Sequence, residues 1–328
     1  MRRTGFIFAL LFCVAASAVA QAFAQETEPF ATFNQSPIIQ IHGLPGLGEA
    51  QVLGAGRSRY RLIADLASNY TADKTAEESV VFDGETQRDV FAFSRGLGRG
   101  LEAGIEIPRL RHSGGSLDGF IGDWHDMIGT AKSKNTPDVL DYRYERDGQT
   151  RLSLSNSTAG LGDVRLTGAW QWPGDGADET AVALRALVKL PTGDSNQLLG
   201  SGAADAALWL SGRQRLDGGV AWFGGLGVLV MGEGDVLADQ QKRAVPFATM
   251  GTGARVFSRF GFKLQVDYHA PLYDGSDLDQ VGAHTALLLF GGDVFFSRNT
   301  RLEWGLSEDI VVTASPDVVF HLALTVTP

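Results

Sequence analysis

The densest group of residues that could bind a ligand lies between positions 113 and 130. It combines a histidine and a tryptophan with three aspartates, namely Asp118, Asp123, Trp124, His125 and Asp126. Imidazole and carboxylate groups suit divalent cations, but the spacing matches neither a His-Glu-x-x-His motif nor an EF-hand loop. The helical spacing of Phe120, Trp124 and Ile128 favours a short amphipathic helix that acts as a plug or cap. A ligand contact and a metal or catalytic site remain alternatives, and we assign no catalytic, metal or cofactor residue.

Histidines in the last third of the chain raise the question of hydrolysis. A serine hydrolase brings a serine, a histidine base and an orienting polar group together in space. His269, His284 and His321 are candidates for the base, but no Gly-x-Ser-x-Gly motif lies near a strand-to-helix turn. We therefore keep an enzyme that acts on lipid or lipopolysaccharide as an alternative, and expect the chain not to be an enzyme.

Charged side chains elsewhere recur at every second position within apolar segments. In residues 60–70 the even positions are mostly apolar and begin and end with tyrosine, whereas Arg61, Asp65 and Asn69 occupy odd positions. A helix would scatter these charges around its axis, whereas a strand places them on one side. The length and the terminal aromatic rings are typical of a strand that crosses a bilayer.

The same alternation predicts which side chains face an enclosed interior. The predicted lumen-lining residues are Arg61, Asp65, Arg165, Arg185, Lys189, Lys263, Asp267, His269, Arg301 and Glu303. Both signs of charge occur among them. A ring of one sign would predict ion selectivity, so the mixture predicts weak selectivity or an occluded pore.

Connections of two lengths alternate between these segments. Short ones lie near 147–148, 217–219, 258–260 and 297–299, and longer ones cover 108–137, 191–203, 233–242 and 271–280. Bacterial outer-membrane barrels have short periplasmic turns and long external loops. We place external strand exits at Pro108, Pro191 and Pro271, because proline cannot donate to a strand ladder.

The sequence thus predicts an all-β, antiparallel, up-and-down transmembrane barrel of about fourteen strands, from 58–70 to 317–326. Twelve is the alternative, if the weak strands near 140–156 belong to a loop. A soluble sandwich or propeller would also show alternation. The export signal, the loop pattern and the terminal aromatic rings favour the barrel, although the chain ends in Thr327-Pro328 rather than in an aromatic residue.

The first residues have the pattern of a secretory signal peptide. Arg2 and Arg3 precede an apolar run, and Ala22-Phe23-Ala24 has the small-x-small form of a cleavage site. We predict a signal peptide at 1–24, an N-terminal lead-in at 25–57 and the barrel at 58–328. Cleavage would remove Cys13, the one cysteine, so the mature chain would have no disulfide. The lead-in could lie in the periplasm or thread into the lumen.

Composition agrees with a barrel and excludes one class of partner. The chain has 41 glycines in 328 residues, well above the usual level of about 7%, and its mean hydropathy is −0.02. Strands that alternate between lipid-facing and lumen-facing residues average to such a value. The net charge of −10 argues against a nucleic-acid partner.

Several segments resemble an uncharacterised bacterial family known as domain of unknown function 3187. They are Asn-Gln-Ser-Pro at 34–37, Gly-Leu-Pro at 43–45, Ala-Ser-Asn-Tyr at 67–70, Asp-Gly-Glu-Thr at 83–86, Gly-Gly-Ser-Leu-Asp at 114–118 through Trp-His at 124–125, Gly-Leu-Gly-Asp at 160–163, Lys-Leu-Pro-Thr-Gly-Asp at 189–194 and Gly-Ser-Gly at 200–202. This resemblance implies an outer-membrane location and no known activity. Two pieces, at 160–163 and 189–194, also look like barrel proteins linked to meta-pathway phenol degradation, which are described as transporters of hydrophobic compounds.

These observations predict an outer-membrane channel or transporter for small molecules, with hydrophobic ones included. The alternatives are the lipid-modifying enzyme and a structural barrel with an occluded lumen. The expected partners are outer-membrane lipids, the barrel assembly machinery and a small-molecule cargo that the sequence does not identify.

Overall fold

The computed structural model describes residues 27–115, 139–172, 180–216, 218–310 and 315–328. These residues form one antiparallel sheet of fifteen strands. The strands are β1 (Ser58–Lys74), β2 (Glu78–Gly98), β3 (Leu101–Ser113), β4 (Asp141–Arg146), β5 (Gln149–Leu154), β6 (Thr158–Leu161), β7 (Arg165–Gln171), β8 (Thr180–Lys189), β9 (Asp205–Arg215), β10 (Val220–Met231), β11 (Ala244–Phe257), β12 (Phe260–His269), β13 (Thr285–Phe295), β14 (Thr300–Asp309) and β15 (Val318–Val326). A 3-10 helix, Ser195–Gln197, and a short α-helix, Asp279–Gly282, lie in connections.

Twelve of the strands close into a barrel. β1, β2, β3 and β7 to β15 each pair with two neighbours, and the pairing of β1 with β15 joins the first strand to the last. The predicted antiparallel barrel is therefore confirmed, with the alternative count of twelve. The count of fourteen was too high because it included β4 and β5, which do not belong to the closed wall.

The other three strands extend the wall at one end. β4 pairs with the first residues of β2, from Glu78 to Asp83, and β5 pairs with β4. β6 pairs with β3 between Arg109 and His112. The turn at 147–148 joins β4 to β5 and is thus not one of the wall's own short turns.

The two ends of the barrel differ in their connections. At one end, here the turn end, the wall strands are joined mostly by short segments, among them 99–100, 216–219, 258–259 and 296–299. At the other, here the loop end, the longer segments 114–164, 190–204, 232–243, 270–284 and 310–317 connect them, and the short segment 75–77 between β1 and β2 is an exception. The predicted alternation of short and long connections is confirmed. Residue 58, where β1 begins, and the last residues of the chain lie at the turn end.

Pro108 does not end its strand, contrary to the prediction. β3 continues to Ser113, and Pro108 lies where its neighbour changes from β7, last paired at Glu106, to β6, first paired at Arg109. Proline lacks the N–H that a continuous ladder would need, so this break between partners accommodates it. β8 and β12 end at Lys189 and His269, in agreement with the exits at Pro191 and Pro271.

The two faces of the wall differ in polarity and in exposure. Leu62 and Leu226 are 58% and 67% exposed on the outside, whereas the carboxylate of Asp65 and the ammonium of Lys189 are buried inside. Exposed apolar residues surround buried charges, the reverse of a water-soluble domain and the arrangement of a barrel in lipid. Among the described residues, no helix is long and apolar enough to cross a membrane.

The interior of the barrel contains the chain's own N-terminal segment. Residues 27–53, here called the plug, form no strand, yet most of them are buried, and Phe30, Ile38 and His42 have no exposed surface. Glycines on the inner wall leave room for it: a Cβ on Gly305 would lie 2.7 Å from the Phe30 ring. Of the two locations left open for this segment, the structure places it in the lumen.

Candidate functional site

The lumen and its plug form the candidate site, and all ten residues predicted to line the lumen lie on the inner face. Eight of them are buried, while Arg61 and Asp267 keep partial exposure. The loop residues Asp118, Asp123, Trp124, His125 and Asp126 lie outside the described part of the chain.

The plug enters at the turn end and rises to the loop end. Thr27 lies beside Gly261, near the start of β12. The backbone N–H of Phe30 donates to Gln265 at 3.0 Å, and that of Ala31 donates to Glu303 at 2.8 Å. The amide of Asn34 lies 3.0 Å from Nε2 of His269, the last residue of β12. This first part of the plug thus follows β12 over most of the length of that strand.

The plug turns at residues 36–42, here the plug tip. The N–H groups of Ile39 and Gln40 donate to the carbonyl of Ser36, so the turn satisfies its own backbone. Ile38, Ile39 and Ile41 are buried in the largest apolar cluster among the described residues. Residues from the loop end surround them, including Tyr142, Leu272, Tyr273, Leu278 and Val281. The described residues of the loop end therefore cover the plug tip by apolar packing.

The plug then descends to the start of β1. Gly43 donates its N–H to Asp205 at 2.8 Å, and the indole N–H of Trp209 donates to the carbonyl of Leu47 at 2.6 Å. Further down, the N–H groups of Val52 and Leu53 donate to Gln171 and Glu102. In the described hydrogen bonds between the backbone of residues 27–53 and the wall, the partner on the wall is therefore a side chain. The plug does not form a strand ladder with the wall.

Glu49 is the most strongly held charge of the plug. Its carboxylate contacts the guanidinium groups of Arg59 and Arg61 on β1, and Arg301 on β14 lies 3.2 Å from Oε1. Arg185 on β8 donates to the Glu49 carbonyl at 2.7 Å. Burial opposes ionisation of this carboxylate, but the surrounding guanidinium groups outweigh it and lower the pKa of Glu49 to about 2.

A second ionic group lies near the loop end. Nζ of Lys189 is 2.6 Å from Asp163 and 3.3 Å from Asp205, and it also donates to Ser201 and to the Ala203 carbonyl. His42 of the plug lies 3.7 Å from the same Asp205. Burial lowers the pKa of His42, although the Asp205 carboxylate partly opposes that shift. The lysine thus joins two loop-end carboxylates, and one of them also holds the plug.

A third group connects neighbouring wall strands. Arg88 on β2 lies 3.2 Å from Asp65 on β1, and Asp65 lies 2.6 Å from Nδ1 of His321 on β15. Nε2 of His321 is 2.7 Å from Glu303 on β14, which in turn contacts Lys263 on β12. Lys263 also lies 3.4 Å from Asp293 on β13. These side chains alternate in sign around the wall, so three cationic and three anionic groups neutralise one another without the plug.

Phe33 of the plug lies between two arginines of the wall. The guanidinium carbons of Arg88 and Arg165 are 4.9 and 4.5 Å from the ring centroid. Arg165 also donates to the His42 carbonyl at 3.0 Å and reaches those of Gln40 and Leu44 at longer distances. An aromatic face attracts cations, so this contact helps to hold two like charges near each other.

Several residues of the site were not predicted, and most of them contact the plug. Glu49, His42 and Phe33 lie in a segment without periodicity, and Asp205 begins a strand after a glycine-rich loop. Arg59, Arg88 and His321 lie on the inner face by the same alternation that identified the other ten. An excess of inward arginines near β1 could have pointed to an acidic segment inside the lumen.

His269, one of the three histidines considered as a base for hydrolysis, has structural partners. Nε2 of His269 faces Asn34, and Nδ1 lies 2.9 Å from the carbonyl of Ala270. Over the part of the chain that the structure describes, no group of three or more His, Cys, Asp or Glu residues could hold a metal ion. The geometry of His269 therefore gives the enzyme alternative no support.

The family model described as protein of unknown function, DUF3187, matches residues 6–327. The chain belongs to this family. The match agrees with the resemblance seen in the sequence, whereas the likeness to phenol-degradation proteins has no counterpart in it and stays an expectation. No curated protein is a significant match to the chain.

Solved structures similar to this DUF3187 member include barrel channels. The COG4313 outer membrane channel from Pseudomonas putida F1 has a TM-score of 0.58 at 14% identity, over 86% of this chain and 98% of that one. The NanC porin has a TM-score of 0.46 at 7% identity, over 81% and 98%. The toluene transporter TodX of Pseudomonas putida has a TM-score of 0.38 at 10% identity, over 92% and 99%. The first likeness shows a shared fold, whereas the other two are too weak to support a conclusion about this chain.

Proposed function

We propose that this protein is an outer-membrane channel for small molecules, and that the plug closes its lumen. An outer-membrane location is supported by the barrel fold shared with the COG4313 channel, by the outward apolar belt and by the predicted signal peptide. Export by that peptide and the nature of the cargo, for which hydrophobic compounds are one candidate class, are parts of the proposal.

The observation that carries the proposal is the way in which the plug is attached. Residues 27–53 fill the lumen but add no strand to the sheet, and side chains such as Trp209, Gln265 and Glu303 supply their contacts with the wall. Water can replace such contacts one at a time as the plug moves, whereas a ladder would bind it as part of the wall. A segment held in this way can leave the lumen while the barrel stays closed.

A reversible crosslink would test whether movement of the plug opens a pore. A Cβ built on Gly43 lies 2.9 Å from Cβ of Asp205, and a disulfide needs about 3.8 Å, so Gly43→Cys with Asp205→Cys should join plug to wall after a small shift. In planar bilayers we expect no conductance from the oxidised protein and discrete openings after reduction. Asp205→Cys alone, with and without reductant, is the matched control.

The filled lumen also favours one alternative, a structural barrel that stays occluded. In that case neither the reduced double variant nor Glu49→Gln, which weakens the hold of the plug, would conduct or release a solute from vesicles. Openings that depend on the state of the disulfide would instead rule out the occluded barrel.

A further inference from the structure

Four arginines of the wall converge on one acidic residue of the plug, three of them on its carboxylate and Arg185 on its backbone carbonyl. Arg59, Arg61, Arg185 and Arg301, here the arginine cluster, come from β1, β8 and β14 and all contact Glu49. Arg61 and Arg301 contact Oε1, and Arg59 contacts Oε2. The cluster thus contacts both oxygens of the carboxylate, with hydrogen bonds from Arg61 and Arg301 to Oε1. Guanidinium groups recognise carboxylate ligands through such charge-assisted contacts.

Part of the negative charge that balances the cluster comes from the plug. Arg301 also lies 3.7 Å from Glu28, a second carboxylate of the plug. On the wall, Glu102 lies 3.8 Å from Arg59 and accepts the N–H of Leu53. Arg213, buried on the inner face of β9 two residues beyond Ser211, which donates to the Gly48 carbonyl, adds a further positive charge. Withdrawal of the plug would remove Glu28 and Glu49 together and leave the positive charge in excess.

The other wall charges do not compensate for this excess. Arg88, Asp65, His321, Glu303 and Lys263 contact one another around the wall, and Asp293 lies 3.4 Å from Lys263. Three cationic and three anionic groups therefore balance one another whether or not the plug is present. The mixture of positive and negative residues in the sequence predicted weak ion selectivity. The structure instead shows one group of wall charges that balance one another and a second group, the arginine cluster, whose charge is balanced in part by the plug.

We propose that the arginine cluster is an anion-binding site of the open channel, which takes the carboxylate of a small organic acid, and that Glu49 occupies it in the closed state. This inference rests on the proposed function and adds a class of solute to it. A concentrated positive charge in a narrow lumen favours passage of anions, and the carboxylate geometry of the occupied site identifies the group that binds there.

Binding can be tested without any conductance. Glu49→Gly in detergent leaves the cluster facing a space that propionate, which has the same heavy atoms as the missing side chain, would fill. We expect propionate to raise the melting temperature by a few degrees in a saturable way, and propionamide, its neutral isostere, to have no effect. Glu49→Gln keeps that space filled and should not respond, and Arg61→Gln with Arg301→Gln should abolish the response of Glu49→Gly. Equal effects of propionate and propionamide would overturn the proposal.

Selectivity gives the second test. In a potassium chloride gradient, the pore formed by Glu49→Gln should pass chloride about tenfold better than potassium, and Arg61→Gln with Arg301→Gln should reduce that preference at least threefold. Arg109→Gln, which alters an exposed arginine of β3, should leave the preference for chloride unchanged.

A pore without preference for anions would refute this inference and would still agree with the proposed channel function. A barrel that never conducts would refute the channel, and the propionate assay would still decide whether the site binds carboxylates.

Discussion

The guanidinium of Arg301 lies 3.2 Å from the carboxylate of Glu49, a residue 252 positions earlier in the chain. The contact joins β14, in the last hairpin, to the plug, which precedes the first strand. The same carboxylate also contacts Arg59 and Arg61 on β1. One plug residue therefore contacts strands on both sides of the junction between β1 and β15.

The outward apolar belt predicts a large effect of charge at its centre. Leu226 lies in the middle of β10 and is 67% exposed. Leu226→Arg should destabilise the barrel by about 2–4 kcal/mol in a bilayer, the usual cost of an arginine at the midplane of a membrane barrel. Denaturant unfolding from lipid vesicles would measure it, with Leu226→Ala as the control. A protein that stays soluble and monodisperse without detergent would contradict the membrane assignment itself.

Lys189 should be among the least replaceable residues of the wall. Its ammonium is buried between Asp163 and Asp205, so Lys189→Met would leave two carboxylates without their shared cation. Breaking a buried ion pair in this way costs about 3–5 kcal/mol, which thermal or denaturant unfolding should detect. Arg243→Met, at an exposed pair with Glu233, is the matched control and should change stability by less than about 0.5 kcal/mol. Equal effects at the two positions would contradict the assigned role of Lys189.

Acid should loosen the plug through Glu49. Its pKa falls from 4.5 to about 2 on folding, so its contribution to stability is complete above pH 4.5 and is lost as the pH falls towards 2. The full contribution is about 3 kcal/mol, of which about 2 kcal/mol should disappear by pH 3. We therefore expect the difference in unfolding free energy between wild type and Glu49→Gln to shrink from pH 7 to pH 3. A difference that is independent of pH would show that this carboxylate does not have the lowered pKa.

Trp209 should limit how often the plug tip becomes accessible. Its indole donates to the Leu47 carbonyl at 2.6 Å, and loss of one such bond costs about 1 kcal/mol. In an Ile41→Cys background, Trp209→Phe should therefore speed labelling by a membrane-impermeant maleimide about fivefold. Trp222→Phe, at an outward tryptophan that is 48% exposed, should leave the rate unchanged. The predicted removal of Cys13 would leave the introduced thiol as the sole cysteine.

Much of the wall could be predicted from the sequence because many of its strands carry their own evidence. Residues of opposite polarity alternate in strands such as β1 and β12, so the inward position of Asp65 or Lys263 follows from its neighbours. The number of strands in the closed wall could not be obtained in this way. β4 and β5 alternate as wall strands do, and only the pairing of β4 with the first residues of β2, and of β5 with β4, shows that they lie outside the barrel.

The plug could not be predicted for a related reason. Residues 27–53 have no period, and the position of Glu49 within Gly-Leu-Gly-Glu-Ala has no feature that identifies a partner. Its partners are Arg59 and Arg61, close in sequence, and Arg301, far away. These positions meet only when β1 pairs with β15, so the site is a product of barrel closure rather than of a local motif.

The direct continuation of the plug into β1 has a consequence for biogenesis. β1 completes the wall by pairing with β15 from Tyr60↔Val326 to Ser68↔Val318, so the final register forms between the two ends of the polypeptide. Contacts of such long sequence separation form late and slowly. We therefore expect the plug to occupy the lumen before β1 pairs with β15. A chain without residues 27–53 should instead close its barrel around water.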